Sequence, residues 1–227
     1  CHEVDEKFAE LHEGRAIGGS NCTACHDPHA AERPGLLRAR QHDPFAEGDC
    51  GACHLPESPT SSFALRADPA TLCLGCHDEF GEEFEKAFHG HLSMKGSCVN
   101  CHNPHAADDR ALLADEQSRL CMRCHFTEAV RGEKDHYLTH SGMDCDECHL
   151  PHGGDNPRLL RSLDIDLCLR CHEDAHSGSH PVGAEVIDAR TGEAVTCLSC
   201  HQMHGAPFDF YLPLDPKMDL CIQCHKK

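Results

Sequence analysis

The chain has 227 residues, a formal net charge of −18, 19 cysteines and 22 histidines. Its 39% hydrophobic share counts those cysteines and includes no tryptophan, which excludes an ordinary side-chain core for a domain of this length. The negative charge argues against nucleic acid and anionic membrane surfaces as partners, because both carry charge of the same sign.

Eighteen of the cysteines form nine CxxCH motifs, in which a histidine directly follows the second cysteine. The first cysteines are Cys22, Cys50, Cys73, Cys98, Cys121, Cys145, Cys168, Cys197 and Cys221. The second cysteines are Cys25, Cys53, Cys76, Cys101, Cys124, Cys148, Cys171, Cys200 and Cys224. The histidines are His26, His54, His77, His102, His125, His149, His172, His201 and His225.

The spacing of these motifs is that of covalent haem attachment. Residues three apart share one face of a helical turn, so both thiols can reach one haem edge. Zinc knuckles and disulfides also use CxxC pairs, but neither requires the histidine. The motifs therefore predict nine c-type haems.

The motifs alternate between two types. Leading motifs are followed by x-Pro-His or a variant of it and begin at Cys22, Cys50, Cys98, Cys145 and Cys197; trailing motifs follow a leucine and begin at Cys73, Cys121, Cys168 and Cys221. The gap from a leading histidine to the next trailing cysteine is 18, 18, 18 and 19 residues. This constancy predicts one elongated domain, residues 1–227, with an N-terminal unit at 1–49 and repeats at 50–97, 98–144, 145–196 and 197–227.

Leucines recur at fixed positions between the motifs. One lies eleven residues after each leading histidine, at Leu37, Leu65, Leu113, Leu160 and Leu212, and another precedes each trailing cysteine, at Leu72, Leu120, Leu167 and Leu220. We expect them to cover haem faces. Leu37 is followed by a second leading motif, so one trailing motif is skipped there.

Cys1 and His2 stand in the register of a trailing motif. Nineteen residues separate His2 from Cys22, against 20, 19 and 24 in the corresponding later gaps. The register predicts a tenth haem held by Cys1 and His2. The alternative is a lipid-modified N-terminal cysteine, which leaves His2 and the register unexplained.

Secondary structure is predicted to be sparse. Residues 115–123, 164–170 and 215–223 begin with an aspartate suited to helix capping and predict short helices across trailing motifs. Residues 78–89 have the strongest helical periodicity, prolines and glycines favour irregular chain elsewhere, and no segment is a convincing strand. The expected fold is a mostly irregular chain with short α-helices around a haem stack.

The remaining histidines are candidates for the second axial ligand of each iron. Five precede leading motifs (His12, His42, His89, His136 and His180), and four lie three residues after a leading histidine (His29, His105, His152 and His204). A histidine so close to its own motif cannot easily reach the opposite face of the same haem, so we expect the second group to ligate neighbouring haems. His91, His140 and His176 leave the choice open within the pairs His89/His91, His136/His140 and His176/His180. Two imidazole ligands predict low-spin iron with potentials below those of His/Met cytochromes.

These motifs, the 18-residue gap and the leucine before each trailing cysteine resemble the doubled-CxxCH multihaem c-type cytochromes of bacteria that respire on metals, sulfur compounds or electrodes. The resemblance implies an electron-transfer protein, not an enzyme, exported to the periplasm or the cell exterior by a signal upstream. The expected partners are redox proteins or further copies of the chain, with metal ions or minerals as terminal acceptors and membrane contact only through a lipid or a porin. A conductive filament subunit or porin conduit, and an oxidoreductase with one open haem, are the alternatives.

Overall fold

The computed structural model describes residues 3–15, 17, 19–56, 63–81, 91, 98–129, 143–173, 175 and 182–225. The chain forms two compact units, one of Cys1–Glu82 with Leu92–Leu120 and one of Glu83–His91 with Cys121–Lys227. Whether the repeats form a single elongated domain stays a prediction. No helix in the described part of the chain is both long and apolar enough to span a bilayer.

Regular elements are few and short. The helices are α1 (Glu6–Glu10), α2 (Asp43–Ala46), α3 (Pro69–Leu74), α4 (Gln117–Ala129) and α5 (Asp164–Leu169), and the strands are β1 (Arg40–Gln41), β2 (Ala106–Ala107), β3 (Gly183–Ile187) and β4 (Ala194–Val195). Short 3₁₀ turns lie at Cys22–Ala24, Pro34–Leu36, Cys50–Ala52, Cys98–Asn100, Arg110–Leu112, Cys145–Glu147, Pro157–Leu159, Cys197–Ser199, Asp209–Tyr211 and Cys221–Gln223. The predicted fold class, mostly irregular chain with short helices and little sheet, is confirmed.

Two antiparallel ladders are the β structure that the sequence did not indicate. β1 pairs with β2, placing Arg40 opposite Ala107, and β3 pairs with β4, with Gly183 opposite Val195. Each ladder joins segments that contain no alternating apolar pattern, so their pairing depends on the chain around them rather than on strand propensity.

The helices predicted over trailing motifs form in part. α3, α4 and α5 carry Cys73, Cys121 and Cys168, whereas the last trailing motif has only the 3₁₀ turn at Cys221–Gln223. The capping prediction for Asp164 is wrong, because Asp164 lies inside α5 with φ +25° and the N-cap, Leu163, makes no side-chain bond. Most of residues 78–89, the segment of strongest predicted periodicity, lies outside the described residues.

A repeated backbone loop explains the constant position of the leucine after each leading motif. The residue after the leading histidine donates its N–H to the carbonyl ten residues beyond that histidine: Asp27 to Leu36 (2.8 Å), Leu55 to Ala64 (2.8 Å), Asn103 to Leu112 (2.7 Å), Leu150 to Leu159 (2.6 Å) and Gln202 to Tyr211 (2.8 Å). In four units the residue after the recurring leucine returns a bond to the carbonyl of the second cysteine, as Arg38 does to Cys25 at 2.9 Å. The fifth unit has Pro213 there, which has no N–H to donate.

Four of these loops turn through two successive left-handed residues. The pairs, with φ between +51° and +69°, are Gly35/Leu36, Ala111/Leu112, Arg158/Leu159 and Phe210/Tyr211. Hairpin turns of this kind favour Asn or Gly, because a Cβ in the left-handed region costs about 1 kcal/mol or more. Only Gly35 meets that preference, so the other three loops retain backbone strain.

Side-chain burial is slight, as the composition indicates. Among the described residues the buried hydrophobic side chains are Ala106, Ala107, Leu120, Ala206 and Leu212, and no large side chain is fully buried. Leu65, one of the recurring leucines, is 42% exposed. The described polypeptide alone therefore has no interior that could stabilise a chain of this length.

Ala111→Gly should stabilise the protein and Ala111→Pro should destabilise it. Glycine adopts φ +51° without strain, so we expect the free energy of unfolding to rise by about 1 kcal/mol. Proline is held near −65° and should lower it by about 3 kcal/mol. Urea denaturation of the haem-loaded protein measures both changes.

Ala114→Gly is the matched control, since Ala114 lies in the same loop but is absent from the left-handed positions. That change should lower stability by about 0.5–1 kcal/mol. An Ala111→Gly variant destabilised as much as Ala114→Gly would show that the turn is not strained.

Candidate haem-binding sites

A tight turn brings the reactive groups of each motif together. In eight motifs the histidine N–H donates to the carbonyl of the first cysteine at 2.9–3.0 Å, and the ninth motif lies within α4. None of the eighteen described cysteines forms a disulfide. Two thiols and one imidazole thus sit on a single turn, which is the donor set that covalent haem attachment requires.

The second cysteine of each motif lies one turn after the first. The second-cysteine N–H donates to the carbonyl of the first at 3.4 Å in Cys53, 3.2 Å in Cys76 and 3.2 Å in Cys101. Cys124 lies inside α4. The thiols of Cys76 and Cys124 are exposed, whereas those of Cys53 and Cys101 are half-buried. The structure shows these four side chains as free thiols, so a thioether bond to haem at Cys53, Cys76, Cys101 and Cys124 stays a prediction.

The last motif has its turn but no facing ring in the described part of the chain. The His225 N–H donates to the Cys221 carbonyl at 2.9 Å, and the His225 side chain is exposed. No described imidazole lies opposite it, so the structure does not identify the second ligand of this site. Iron ligation by His225 therefore depends on the motif alone and stays a prediction.

The leading histidines share a hydrogen bond that was not predicted from the sequence. The Nδ1 of each lies close to the carbonyl oxygen nine residues further on: His26 to Gly35 (2.6 Å), His54 to Phe63 (3.2 Å), His102 to Ala111 (2.7 Å), His149 to Arg158 (2.9 Å) and His201 to Phe210 (2.6 Å). Since a carbonyl only accepts, Nδ1 carries the proton and Nε2 keeps its lone pair for a metal. In four loops that carbonyl belongs to the first left-handed residue, so the turn aims it at the imidazole.

Five pairs of imidazoles face each other in the described residues. Their ring centres are 6.2 Å apart for His12 and His26, 6.1 Å for His42 and His77, 5.9 Å for His54 and His105, 5.6 Å for His91 and His125, and 5.9 Å for His149 and His204. Two imidazoles bound to one metal atom from opposite sides, with bonds of about 2 Å, would have ring centres roughly 6 Å apart. The spacing fits an iron between the rings of the four pairs whose centres are 5.9–6.2 Å apart, and less closely between His91 and His125.

Direct contact without a metal is the simpler explanation only for one pair. The Nε2 atoms of His91 and His125 are 3.3 Å apart, a distance at which one imidazole could donate to the other. At His12 and His26 both Nδ1 atoms lie at hydrogen-bonding distance from carbonyls, of Phe8 at 2.8 Å and Gly35 at 2.6 Å. Both rings therefore offer Nε2 as an acceptor, so the two rings do not hydrogen-bond to each other directly and both lone pairs are available to a metal.

The structure places the predicted second ligands in different ways. His12, His42, His105 and His204 each face the histidine of a CxxCH motif, and the last two face a motif other than the one they follow. His91, which was not among the first choices, faces His125. His29 is exposed, and His152 is partly buried. Cys1, His2, His89, His136, His140, His176 and His180 lie outside the described residues, and iron ligation remains a prediction at every position.

Burial lowers the pKa of two of these imidazoles. The pKa of His105 is lowered chiefly by burial and further by the nearby His54 and His42. The pKa of His91 is lowered by burial and by His125. Both rings are therefore neutral at neutral pH, which is the form that binds iron.

The β1–β2 ladder holds two of the predicted ligands side by side. Arg38 forms an ion pair with Asp108, and the His42 N–H donates to the His105 carbonyl at 3.0 Å. The Nδ1 of His42 is 3.0 Å from the Pro104 carbonyl oxygen, which fixes the orientation of that ring. The two rings that face His77 and His54 thus come from one short ladder, a long-range contact that no local sequence pattern reveals.

Arginines after three of the recurring leucines brace the motifs. Arg38, Arg66 and Arg161 donate to the carbonyl of the residue after the first cysteine, over 2.7 Å to Thr23, 2.8 Å to Gly51 and 2.5 Å to Asp146. The Leu-Arg dipeptide at this fixed offset was visible in the sequence and could have indicated the contact. Each arginine also places a positive charge beside a site in a strongly acidic chain.

Consecutive motifs approach each other through their cysteines. Side-chain hydrogen bonds join the thiols of Cys73 and Cys98, of Cys121 and Cys145, and of Cys168 and Cys197. Burial, together with the neighbouring thiol, raises the pKa of Cys73 to about 11 and that of Cys168 to about 12. Each pair joins a trailing motif to the next leading motif, so haems attached there would meet edge to edge.

A cluster of Asp164, Cys168 and Cys197 has ligand atoms within 4.8 Å of one another and could coordinate a metal ion directly. Thiolates and a carboxylate suit zinc. The two sulfurs belong to different CxxCH motifs, however, and both are consumed once haem is attached. The cluster is therefore better explained by the close approach of two haem sites.

A buried carboxylate supports the last two motifs. Asp188 is 4% exposed, its carboxylate accepts from the Arg190 Nε at 2.9 and 3.0 Å, and the Cys224 thiol lies 3.9 Å away. The hydrogen bonds from Arg190 lower the pKa of Asp188 from its ordinary value of 3.8 to about 2. Because the folded-state pKa is depressed, the pair stabilises the β3–β4 hairpin above about pH 4, and this contribution is lost as the pH falls towards 2.

Acid should therefore loosen this hairpin in wild type at a pH set by Asp188. The protection of the amides of residues 183–195 against hydrogen exchange, taken relative to the intrinsic rate at each pH, is expected to be high at pH 4 and to fall between pH 4 and pH 2. Asp188→Asn should exchange faster at pH 4 and lose most of the pH dependence. Glu193→Gln, which removes an exposed charge from the same hairpin, is the control and should behave as wild type; an equal effect of both variants would contradict the assignment.

Comparison with known proteins agrees with the motifs. A family model described as the doubled CXXCH motif matches residues 12–41, 42–82, 89–129, 136–177 and 189–227. No curated protein matches the chain. Since the five matches cover most of its length, the chain belongs to the doubled-CxxCH family of multihaem c-type cytochromes.

Proposed function

We propose that this cytochrome transfers electrons along a closely spaced row of about ten c-type haems, most of them held between two histidines. The observation that carries the proposal is the set of five facing imidazole pairs, whose ring centres are 5.6–6.2 Å apart. Bound haem supplies an iron that takes up and releases one electron. If a histidine held each side of the iron, as the facing pairs would allow, a substrate would find no coordination site, which favours electron transfer over catalysis.

The pairing follows a simple order along the chain. His42 and His91, which serve the trailing sites at His77 and His125, lie 35 and 34 residues before them. His105 and His204 serve leading sites of the preceding unit, at His54 and His149. Trailing haems thus receive their second ligand from a segment earlier in the chain, and leading haems receive theirs from a segment later in the chain. This exchange of ligands links successive sites.

For the remaining sites the proposal depends on sequence alone. His136 lies 36 residues before His172 and His140 lies 32 residues before it, so the offset at the other trailing sites favours His136. Cys1 and His2 supply the tenth site. Intact mass of the native protein against the apoprotein counts the haems directly, and nine haems instead of ten would favour the lipid interpretation of Cys1.

Electrons would pass from site to site because the sites are adjacent. Hydrogen bonds join the thiols of Cys73 and Cys98, of Cys121 and Cys145, and of Cys168 and Cys197, and the Cys148/Cys171 and Cys200/Cys224 thiols influence each other electrostatically. At these five steps the haem edges would lie near each other, and electron transfer is fastest over such short separations. The row follows the order of the sequence within each compact unit.

The surroundings of this row are proposed from charge and chemistry. Covalent haem attachment belongs to the periplasm or the cell exterior, and the net charge of −18 favours partners with a basic surface, cationic metal species or, through specific contacts, further copies of the chain. The same row of haems would serve a subunit of a filament and a conduit through a porin. Electron microscopy of the native protein distinguishes these assemblies from a discrete carrier.

His105→Ala should open one haem without unfolding the chain. The iron that His54 would still hold should become high-spin, because its second ligand is lost. Electron paramagnetic resonance should show one high-spin haem per chain, and added imidazole should return it to low spin. His105→Met keeps a ligand, so it should stay low-spin with a raised potential. A His105→Ala spectrum identical to that of wild type would refute this ligand assignment.

Carbon monoxide tests the competing oxidoreductase function. We expect carbon monoxide to change the optical spectrum of the reduced wild-type protein little, because most irons would have a histidine on both sides. His105→Ala should bind about one carbon monoxide molecule per chain and serves as the positive control. Binding by wild type at high occupancy would favour an enzyme with an open haem.

A further inference from the structure

Two of the histidines that follow leading motifs, His105 and His204, share a register. His105 follows the Cys98 motif and faces His54 of the Cys50 motif, at a ring-centre distance of 5.9 Å. His204 follows the Cys197 motif and faces His149 of the Cys145 motif, also at 5.9 Å. In both cases the tail histidine faces the leading site one unit earlier.

The exception at Cys50 supports this register. The Cys50 motif has Leu-Pro-Glu after His54 and so has no tail histidine. The site one unit earlier, at His26, would therefore be left without a ligand from a tail. There His12 faces His26 instead, at 6.2 Å, with its Nδ1 held 2.8 Å from the Phe8 carbonyl. A ligand from another source is present where the tail histidine is missing.

His29 lies in the same kind of turn as His105. The Cys22 motif that it follows is the first of the nine, so none of the nine is a leading motif one unit earlier. The His29 N–H donates to the Asp27 Oδ1 at 2.9 Å, as the His105 N–H donates to the Asn103 Oδ1 at 3.0 Å. The His29 side chain is exposed, and within the described residues no ring faces it. The Cys1–His2 half motif stands in trailing register, so it is not the site that this rule predicts.

We propose that His29 is the second axial ligand of a haem that none of the nine motifs of its own chain carries. This inference rests on the proposed function, since it requires histidine on both sides of each iron. The recipient is a leading-type haem with one open side. It lies either on a segment amino-terminal to the Cys22 motif in the same polypeptide or on a second copy of the chain.

A plain surface histidine is the simpler explanation, and the turn argues against it. The Asp27 carboxylate also accepts the Ala30 N–H at 3.2 Å, so two bonds hold the tail in place around an imidazole that no described ring faces. The same turn positions His105, whose ring is used. A ligand to a haem elsewhere explains why the turn is built around His29.

The test compares wild type, His29→Ala and Asp27→Asn in the native haem-loaded protein. Asn stands at the equivalent position, Asn103, of the turn that carries His105, so Asp27→Asn should retain ligation and behave as wild type. His29→Ala should fold normally, because no described ring packs on its side chain. Electron paramagnetic resonance counts high-spin haems, and light scattering measures the mass of the particle.

We expect His29→Ala to gain one high-spin haem per chain, reversed by added imidazole. An unchanged mass would then place the haem on the same polypeptide, and dissociation into single chains would place it on a second copy. A spectrum and mass identical to wild type would overturn the inference and leave the five facing pairs untouched. Abundant high-spin haem already present in wild type would instead count against the proposed function.

Discussion

The hydrogen bond between the Nδ1 of each leading histidine and a backbone carbonyl nine residues later is the constraint on which the repeat depends. To present that carbonyl, the chain folds back within a fixed number of residues, and four of the five loops turn through left-handed positions, even where Ala111 or Phe210 makes this costly. The fold-back sets the position of the recurring leucine. It also leaves Nε2 of each imidazole directed away from the loop, so one interaction determines the loop length, the strain and the tautomer.

Covalent attachment changes what the rest of the chain must do. A few small residues and two leucines are buried in the described part, so the polypeptide provides turns, caps and ligands rather than a core. On the proposed ligation irregular chain is sufficient, because a site would need only one turn of Cys-x-x-Cys-His and one imidazole from elsewhere. The second imidazole is the long-range element: the β1–β2 ladder that carries His42 and His105 links segments more than sixty residues apart.

Local features of this molecule could be predicted from the sequence and its long-range contacts could not. The motifs, the two motif types, the short helices at Cys73, Cys121 and Cys168 and the prediction that tail histidines face other motifs all follow from spacing. The facing of His91 and His125, the Arg38–Asp108 ion pair and the β1–β2 ladder depend on which segments meet in space. Capping at Asp164 failed because a residue type that favours a helix start does not fix the residue at which the helix begins.

The central claim is that most of the irons lie between two histidines. An electron paramagnetic resonance spin count on the fully oxidised native protein tests it most directly, combined with the haem content from intact mass. The account predicts low-spin ferric signals that sum to nearly all of the haem, with at most a minor high-spin fraction. A spectrum dominated by high-spin ferric haem would contradict it, since open axial positions could not then be reconciled with five facing imidazole pairs.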